Sequence, residues 1–293
     1  MRSKNNIALL LTSVFCLAAL VFCVTQVCRA LRPNVPIINL ITKAKYNEML
    51  DVVVKIEEPE SSGSGVLIAK FKLLEDLYEY WVITYNHVVD EHTIIVDPEH
   101  ALFYHKRVQD DPIQYSDPES APETKILKEV DVGCKVVVFD SRLGTEVEYD
   151  GDISLVDPIR DLAIVKFNSP HNYKVALIAN ELLLPKLSVF DEVYAVGCQL
   201  GLPPVVTYGI IGGFVDDKEF KGIIHNAEIS PGSSGGGLFR EFDGHYYLIG
   251  IPNRLPVRGY QFIAHYAMSI HGNVLIEFLK ENGFGRLLVQ KAP

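Results

Sequence analysis

From Val52 onward the chain alternates between short apolar runs and polar breaks. The runs are rich in β-branched and aromatic residues, and the breaks are clusters of Gly, Pro and acidic residues. This pattern predicts strands rather than amphipathic helices. Val52–Ile56, Val66–Phe71 and Tyr80–Thr84 form one group, with a further strand at Thr93–Val96. Lys135–Phe139 and Thr145–Tyr149 make a hairpin around Asp140–Gly144, followed by Leu162–Phe167. After a proline-containing connector at 168–188, strands resume at Glu192–Val196, Val205–Gly212, Ile223–Ile229, Tyr246–Ile251 and Gln261–Met268. Only the last element changes period. Val274, Leu275, Phe278 and Leu279 fall on one helical face within 273–282, and Gly283 is placed to end that helix. Two blocks of short strands without βαβ units point to an all-β body, a barrel or a sandwich.

Two segments depart from this rhythm. Residues 98–133 carry Asp110-Asp111-Pro112, Asp117-Pro118 and Ala121-Pro122 among many acids, which predicts an inserted acidic surface loop. At the other extreme, Ile7 to Val24 is free of charge and follows a polar, basic start. That layout predicts a hydrophobic helix within residues 1–34, a retained membrane anchor or a cleaved secretory signal. Two basic residues flank each side, so charge does not set the orientation; the usual outcome places residues 35 onward outside the cytoplasm, membrane-anchored in the first case and secreted or periplasmic in the second. Residues 35–50 then form a connector to a body that begins near residue 51.

Charge and cysteine usage narrow the function. Arg2, Lys4, Arg29 and Arg32 are the only charges in residues 1–34, so the net charge of −10 becomes −14 for the rest. A body this acidic does not suit nucleic acid, whose binding rests on neutralised phosphates. Of five cysteines, only Cys134 and Cys198 lie in the body. They match no metal or redox spacing, and sequence does not fix whether they pair. No GxGxxG, GxxxxGKS/T or HExxH fingerprint is present, so no cofactor or metal is indicated.

The chemistry concentrates at Ile229-Ser230-Pro231-Gly232-Ser233-Ser234-Gly235-Gly236-Gly237. On composition alone this is a flexible loop or a turn that presents a serine hydroxyl beside backbone N–H donors. A serine becomes a nucleophile when a histidine takes its proton and a carboxylate orients that histidine. His87 directly follows an apolar strand end, and Asp161 sits immediately before another. The alternative for Asp161 is a turn or strand cap.

His87 in Ile-Thr-Tyr-Asn-His-Val-Val, Asp161 in Asp-Leu-Ala-Ile-Val and Ser234 in Pro-Gly-Ser-Ser-Gly-Gly resemble the three signature segments of chymotrypsin-fold serine proteases. Gly63-Ser64-Gly65-Val66, Ala195–Leu202, Val206–Ile211, Leu248–Ile251 and Tyr266–Ser269 extend the resemblance to the HtrA/Deg branch. It covers about residues 52–283 and implies two six-stranded β-barrels, about 51–168 and 188–270, in a protease domain spanning 51–285 with a C-terminal helix. It also implies a cofactor-independent endopeptidase acting on proteins or peptides. His87 would be the general base, Asp161 its orienting acid and Ser234 the nucleophile. The N–H groups of Gly232 and Ser234, with Ser233 beside them, would form the oxyanion hole. A homotrimer is common in the family. Glu228 would lie near the base of the primary pocket and favour a basic side chain; alternatively it turns to solvent or pairs with Arg254. Cys198 and Gly237 stand where the family commonly has Asn and Pro, and the chain ends at Pro293 without room for a PDZ domain. A non-enzymatic reading, a chaperone-like binding module on the same fold, stays beside the protease reading.

Overall fold

The structure, a computed structural model, describes residues 46–58, 61–89, 94–97, 102–105, 133–140, 144–217, 220–258 and 261–289. The hydrophobic helix expected at 7–24, its flanks to residue 34, the connector to residue 45 and most of the 98–133 insertion lie outside these residues. Among those described, no helix is long and apolar enough to cross a membrane.

After a helical turn at 46–50, the first barrel is built from β1 (Val53–Glu57), β2 (Ser62–Leu74) and β3 (Leu77–Tyr85). A single helical turn, α1 (Asn86–Val89), follows β3. β4 (Ile94–Asp97) and β5 (Leu102–His105) then form their own antiparallel pair. β6 (Cys134–Asp140), β7 (Thr145–Asp157) and β8 (Leu162–Ser169) complete the barrel in the closed order β1-β2-β3-β8-β7-β6. β5 lies within the segment 98–133 expected to be an acidic surface loop. The apolar run Leu102-Phe103-Tyr104 pairs as a strand despite the charged and proline-rich sequence around it.

The second barrel begins after β9 (Leu177–Ile178) with β10 (Glu192–Gly197), β11 (Val205–Asp216) and β12 (Lys221–His225). It continues through β13 (Gly237–Phe242) and β14 (His245–Arg254), a small hairpin of β15 (Val257–Arg258) and β16 (Gln261–Phe262), and β17 (Ala267–His271). The order β13-β10-β11-β12-β17-β14 closes through the β13–β14 pair, and β9 adds in parallel to β14. The fold is thus the expected pair of closed six-stranded antiparallel barrels. Two strand predictions need correction. The run Ile223–Ile229 leaves the ladder at His225, because Asn226 Oδ1 accepts from Ile210 N (2.7 Å) and turns the chain away. The run Gln261–Met268 is split at His265, whose φ of 58° interrupts extended backbone.

Both barrels are filled by the alternating apolar positions. Val54, Ile56, Val66, Ile68 and Ile83 are buried in the first; Val193, Ile211, Ile223, Leu248 and Ile270 are buried in the second. Helix α2 (Gly272–Glu281) buries Leu275, Ile276, Phe278 and Leu279, each worth about 1.5–3 kcal/mol when fully removed from water. Beyond it the chain turns back to the first barrel. Phe284 meets Trp81 edge-on at 4.4 Å, while Lys166 Nζ sits 4.6 Å from the same indole. Cys134 and Cys198 are buried thiols, not joined in a disulfide.

Candidate active site

The β3–β8 register sets the first pair of candidate residues. Tyr85 pairs with Leu162, so His87, just beyond β3, faces Asp161, just before β8. Asp161 holds a φ of 57°, a left-handed conformation that Asp tolerates better than most residues. Its turn is braced by Asp157, whose Oδ1 accepts from Ile159 N and Arg160 N, both at 3.0 Å. Arg160 in turn bridges Asp157 Oδ2 and Glu281 of α2, each at 2.7 Å. Burial alone would raise the Asp157 carboxyl, but the hydrogen bonds from Arg160 outweigh it and hold it below the usual carboxylate value.

On this turn Asp161 grips the His87 residue at two points. Oδ1 accepts from the His87 backbone N–H (2.9 Å), and Oδ2 is 2.7 Å from Nδ1. The Asp161 carbonyl also accepts from Asn86 N (3.1 Å). A carboxylate only accepts, so Nδ1 carries the hydrogen and Nε2 keeps its lone pair in the neutral ring. Tyr85 stacks on the imidazole, with centroids 5.1 Å apart and planes 16° from parallel. The buried Tyr85 hydroxyl donates to Ile251 O (2.7 Å) across the two barrels. Its own pKa lies well above the usual phenol value because the ring is buried.

The third candidate lies on the loop between β12 and β13, where every carbonyl from Ser230 to Ser234 has a partner. Ser230 O accepts from Ser233 N (2.9 Å), Pro231 O from Leu200 N (2.8 Å) and Ser233 O from Gly236 N (3.0 Å). Gly232 O accepts from the Ser64 hydroxyl (2.6 Å) and Ser234 O from the Ser64 N–H (2.8 Å). The N–H groups of Gly232, Ser234 and Gly235 donate to no acceptor among the described residues. A loop whose oxygens are all turned into the protein leaves such donors for an incoming oxygen. Gly232 (φ 92°) and Gly235 (φ 85°) make this path accessible.

His87 and Asp161 are in direct contact, and Ser234 is brought to the same wall. A β-carbon on Gly63 would lie 2.6 Å from Val88 Cγ1 and 3.3 Å from Ser234 O, so both neighbours pack on one glycine. No hydrogen bond joins His87 to Ser234 among the described residues. A further residue of the site is Ser64, which in the sequence stands out only as part of the Gly63-Ser64-Gly65 motif. A lone polar residue between two glycines in an apolar strand was the signal for it.

A trypsin-like peptidase domain model matches residues 63–251. The chain belongs to the trypsin-like peptidase family. Among solved structures this trypsin-like domain is similar to Deg5, with a TM-score of 0.53 and 19% identity over 83% of this chain and 96% of that one. It is also similar to the HtrA-type protease AlgW, with a TM-score of 0.54 and 18% identity over 81% of this chain and 62% of AlgW. The HtrA/Deg resemblance read from the sequence therefore holds at the level of the fold.

In this trypsin-like domain Glu228 and Arg254 do not form the expected alternative pair. Glu228 is exposed and lies 3.3 Å from His265 Nδ1, with the two side chains 62% and 71% accessible. Its carbonyl accepts from Thr207 Oγ1 (2.6 Å). Arg254 donates from Nε to Asn253 Oδ1 (3.2 Å), and its guanidinium lies over the Phe220 ring at 5.2 Å. Behind this wall His225 is buried, with Nδ1 3.1 Å from Ala227 O and Nε2 2.8 Å from Ser269 Oγ. Burial lowers its pKa to about 4. Cys198, beside the loop, is driven the other way: burial raises its thiol to about 12, which leaves it a protonated packing residue. Among the described residues no cluster of His, Cys, Asp and Glu could hold a metal ion.

Proposed function

We propose that this trypsin-like domain is a serine endopeptidase in which His87, Asp161 and Ser234 act together on peptide bonds of protein substrates. The observation that carries the reading is the two-point Asp161–His87 contact beside a loop with tied carbonyls and open N–H donors. His87 Nε2 takes the Ser234 hydroxyl proton as Oγ bonds to the substrate carbonyl carbon. The C–N bond then breaks, and the leaving amine receives that proton. Water, deprotonated by the same His87, displaces Oγ from the acyl-enzyme and restores the serine. Asp161 stabilises the imidazolium at each stage, and the N–H groups of Gly232 and Ser234 receive the developing oxyanion.

The deciding experiment is covalent labelling by a fluorophosphonate probe. Wild-type protein should label at one residue, and Ser234→Ala should not label at all. An unlabelled wild type, or an equally labelled Ser234→Ala, overturns the hydrolase reading and favours a binding module on the protease fold. Glu228 is the candidate for recognising a basic side chain before the scissile bond, through charge pairing. The domain belongs outside the cytoplasm in this reading, held at a membrane through residues 7–24 or released by cleavage after them.

A further inference from the structure

Ser64, on β2 of the first barrel, is 0% exposed and uses every polar group it has on the second barrel or the nucleophile loop, apart from one carbonyl. Its hydroxyl accepts from Cys198 N (2.7 Å) and donates to Gly232 O (2.6 Å). Its N–H donates to Ser234 O (2.8 Å), and its carbonyl accepts from Thr84 Oγ1 (2.7 Å). One residue therefore holds two carbonyls of the loop, those of Gly232 and Ser234, while the peptide between them carries the Ser234 N–H. The backbone bond to Ser234 exists for any residue at this position. The bond to Gly232 needs a hydroxyl.

The Gly232–Ser233 peptide is held at its N–H by Ser230 O (2.9 Å) and at its carbonyl by that hydroxyl. A hydroxyl has one hydrogen to give, and here it goes to Gly232 O while Cys198 N–H occupies a lone pair, so the direction of both bonds is determined. Without it, the buried Cys198 N–H and the part-buried Gly232 carbonyl lose their partners, and the cheapest remedy is to rotate the peptide until its carbonyl finds another donor. The donors nearest in sequence are the N–H groups reserved for the oxyanion. We propose that the Ser64 hydroxyl is a positioning residue for the acyl-transfer step: it keeps the Gly232 carbonyl out of the oxyanion site and so keeps that site formed before substrate arrives. This rests on the hydrolase reading above and adds to it a residue that touches neither substrate nor the reacting atoms.

The test measures the rate at which a fluorophosphonate phosphonylates Ser234, a step in which the Oγ–P bond forms as His87 takes the hydroxyl proton, the P–F bond breaks with loss of fluoride, and the phosphonyl oxygen enters the oxyanion site. Saturation kinetics separate the maximal rate kinact from the binding constant KI. Ser64→Ala should lower kinact on the order of 100-fold, the loss expected when a preorganised catalytic group is misplaced by about an ångström. KI should stay within about threefold, because the binding surface is unchanged. Ser64→Cys fills the same space with a weak donor and acceptor and should be slowed as well; it carries the test if Ser64→Ala does not fold by circular dichroism. A wild-type kinact in Ser64→Ala, a kinact restored by Ser64→Cys, or a change confined to KI would overturn the proposal while leaving the hydrolase reading in place. A wild type that takes up no probe would overturn both.

Discussion

The buried His225 makes the second barrel sensitive to acid, and the size of the effect can be worked out. A carbonyl can only accept, so Nδ1–H donates to Ala227 O and Nε2 accepts from the Ser269 hydroxyl, which is the neutral ring. Burial moves the pKa from 6.5 to about 4. Above pH 6.5 the ring is neutral in folded and unfolded chains alike, and the linkage vanishes. As pH falls from 6.5 towards 4, the unfolded chain binds a proton that the folded one refuses, so stability is lost across that window and the loss levels off below it. The displacement corresponds to about 3 kcal/mol, a large share of the stability of an ordinary domain. Burial also lowers the pKa of the partly buried His271, so wild type alone cannot isolate the effect. His225→Gln can donate and accept but does not titrate. Urea unfolding followed by far-UV circular dichroism at several pH values between 7.5 and 4 should show the variant less stable at the upper end, by about 1–2 kcal/mol for its imperfect hydrogen bonds. Its deficit should shrink and then reverse as pH falls. Profiles that stay parallel within about 0.5 kcal/mol would mean that His225 causes no difference in proton uptake between the folded and unfolded chains.

Other substitutions test the site from different sides. In Gly235→Ala the new β-carbon runs into Ser64 O and Thr84 Oγ1 at a φ of 85°, so we expect a loss of about 2–3 kcal/mol together with probe labelling; a wild-type melting temperature would count against this packing. If Glu228 recognises basic side chains, a peptide-library cleavage profile should favour Lys or Arg before the scissile bond in wild type and lose that preference in Glu228→Gln. No preference in either protein would assign Glu228 to its contact with His265 alone. For the topology, sealed vesicles bearing the full chain should leave the domain open to added protease only on the non-cytoplasmic face, and full protection there would reverse the assigned orientation.

The strands were legible because apolar alternation and turn residues agree along most of the chain, and the C-terminal helix because its period differs from everything before it. His87 and Asp161 were legible as neighbours because each abuts an apolar strand, and those two strands pair in register. Failures occurred where a single dihedral or side chain overrides composition. The φ of His265 splits an apolar run, the Asn226 amide ends β12 early, and three apolar residues make a strand inside an acidic segment. The role of Ser64 was illegible for another reason. Its partners lie 134 and 168 residues away at Cys198 and Gly232, and no local pattern encodes a contact between barrels.

Trp81 is the only tryptophan in the chain, and it is 6% exposed between Phe284 and Lys166. The protein thus carries one built-in optical reporter, and that reporter watches the seam between the first barrel and the returning C-terminal segment. Indole emission will register release of residue 284 or opening of β3, and it will be blind to events confined to the second barrel. An acid transition centred on His225 should therefore be seen by far-UV circular dichroism before tryptophan fluorescence. Two probes that disagree in this way would reveal that the two barrels melt as separate cooperative units.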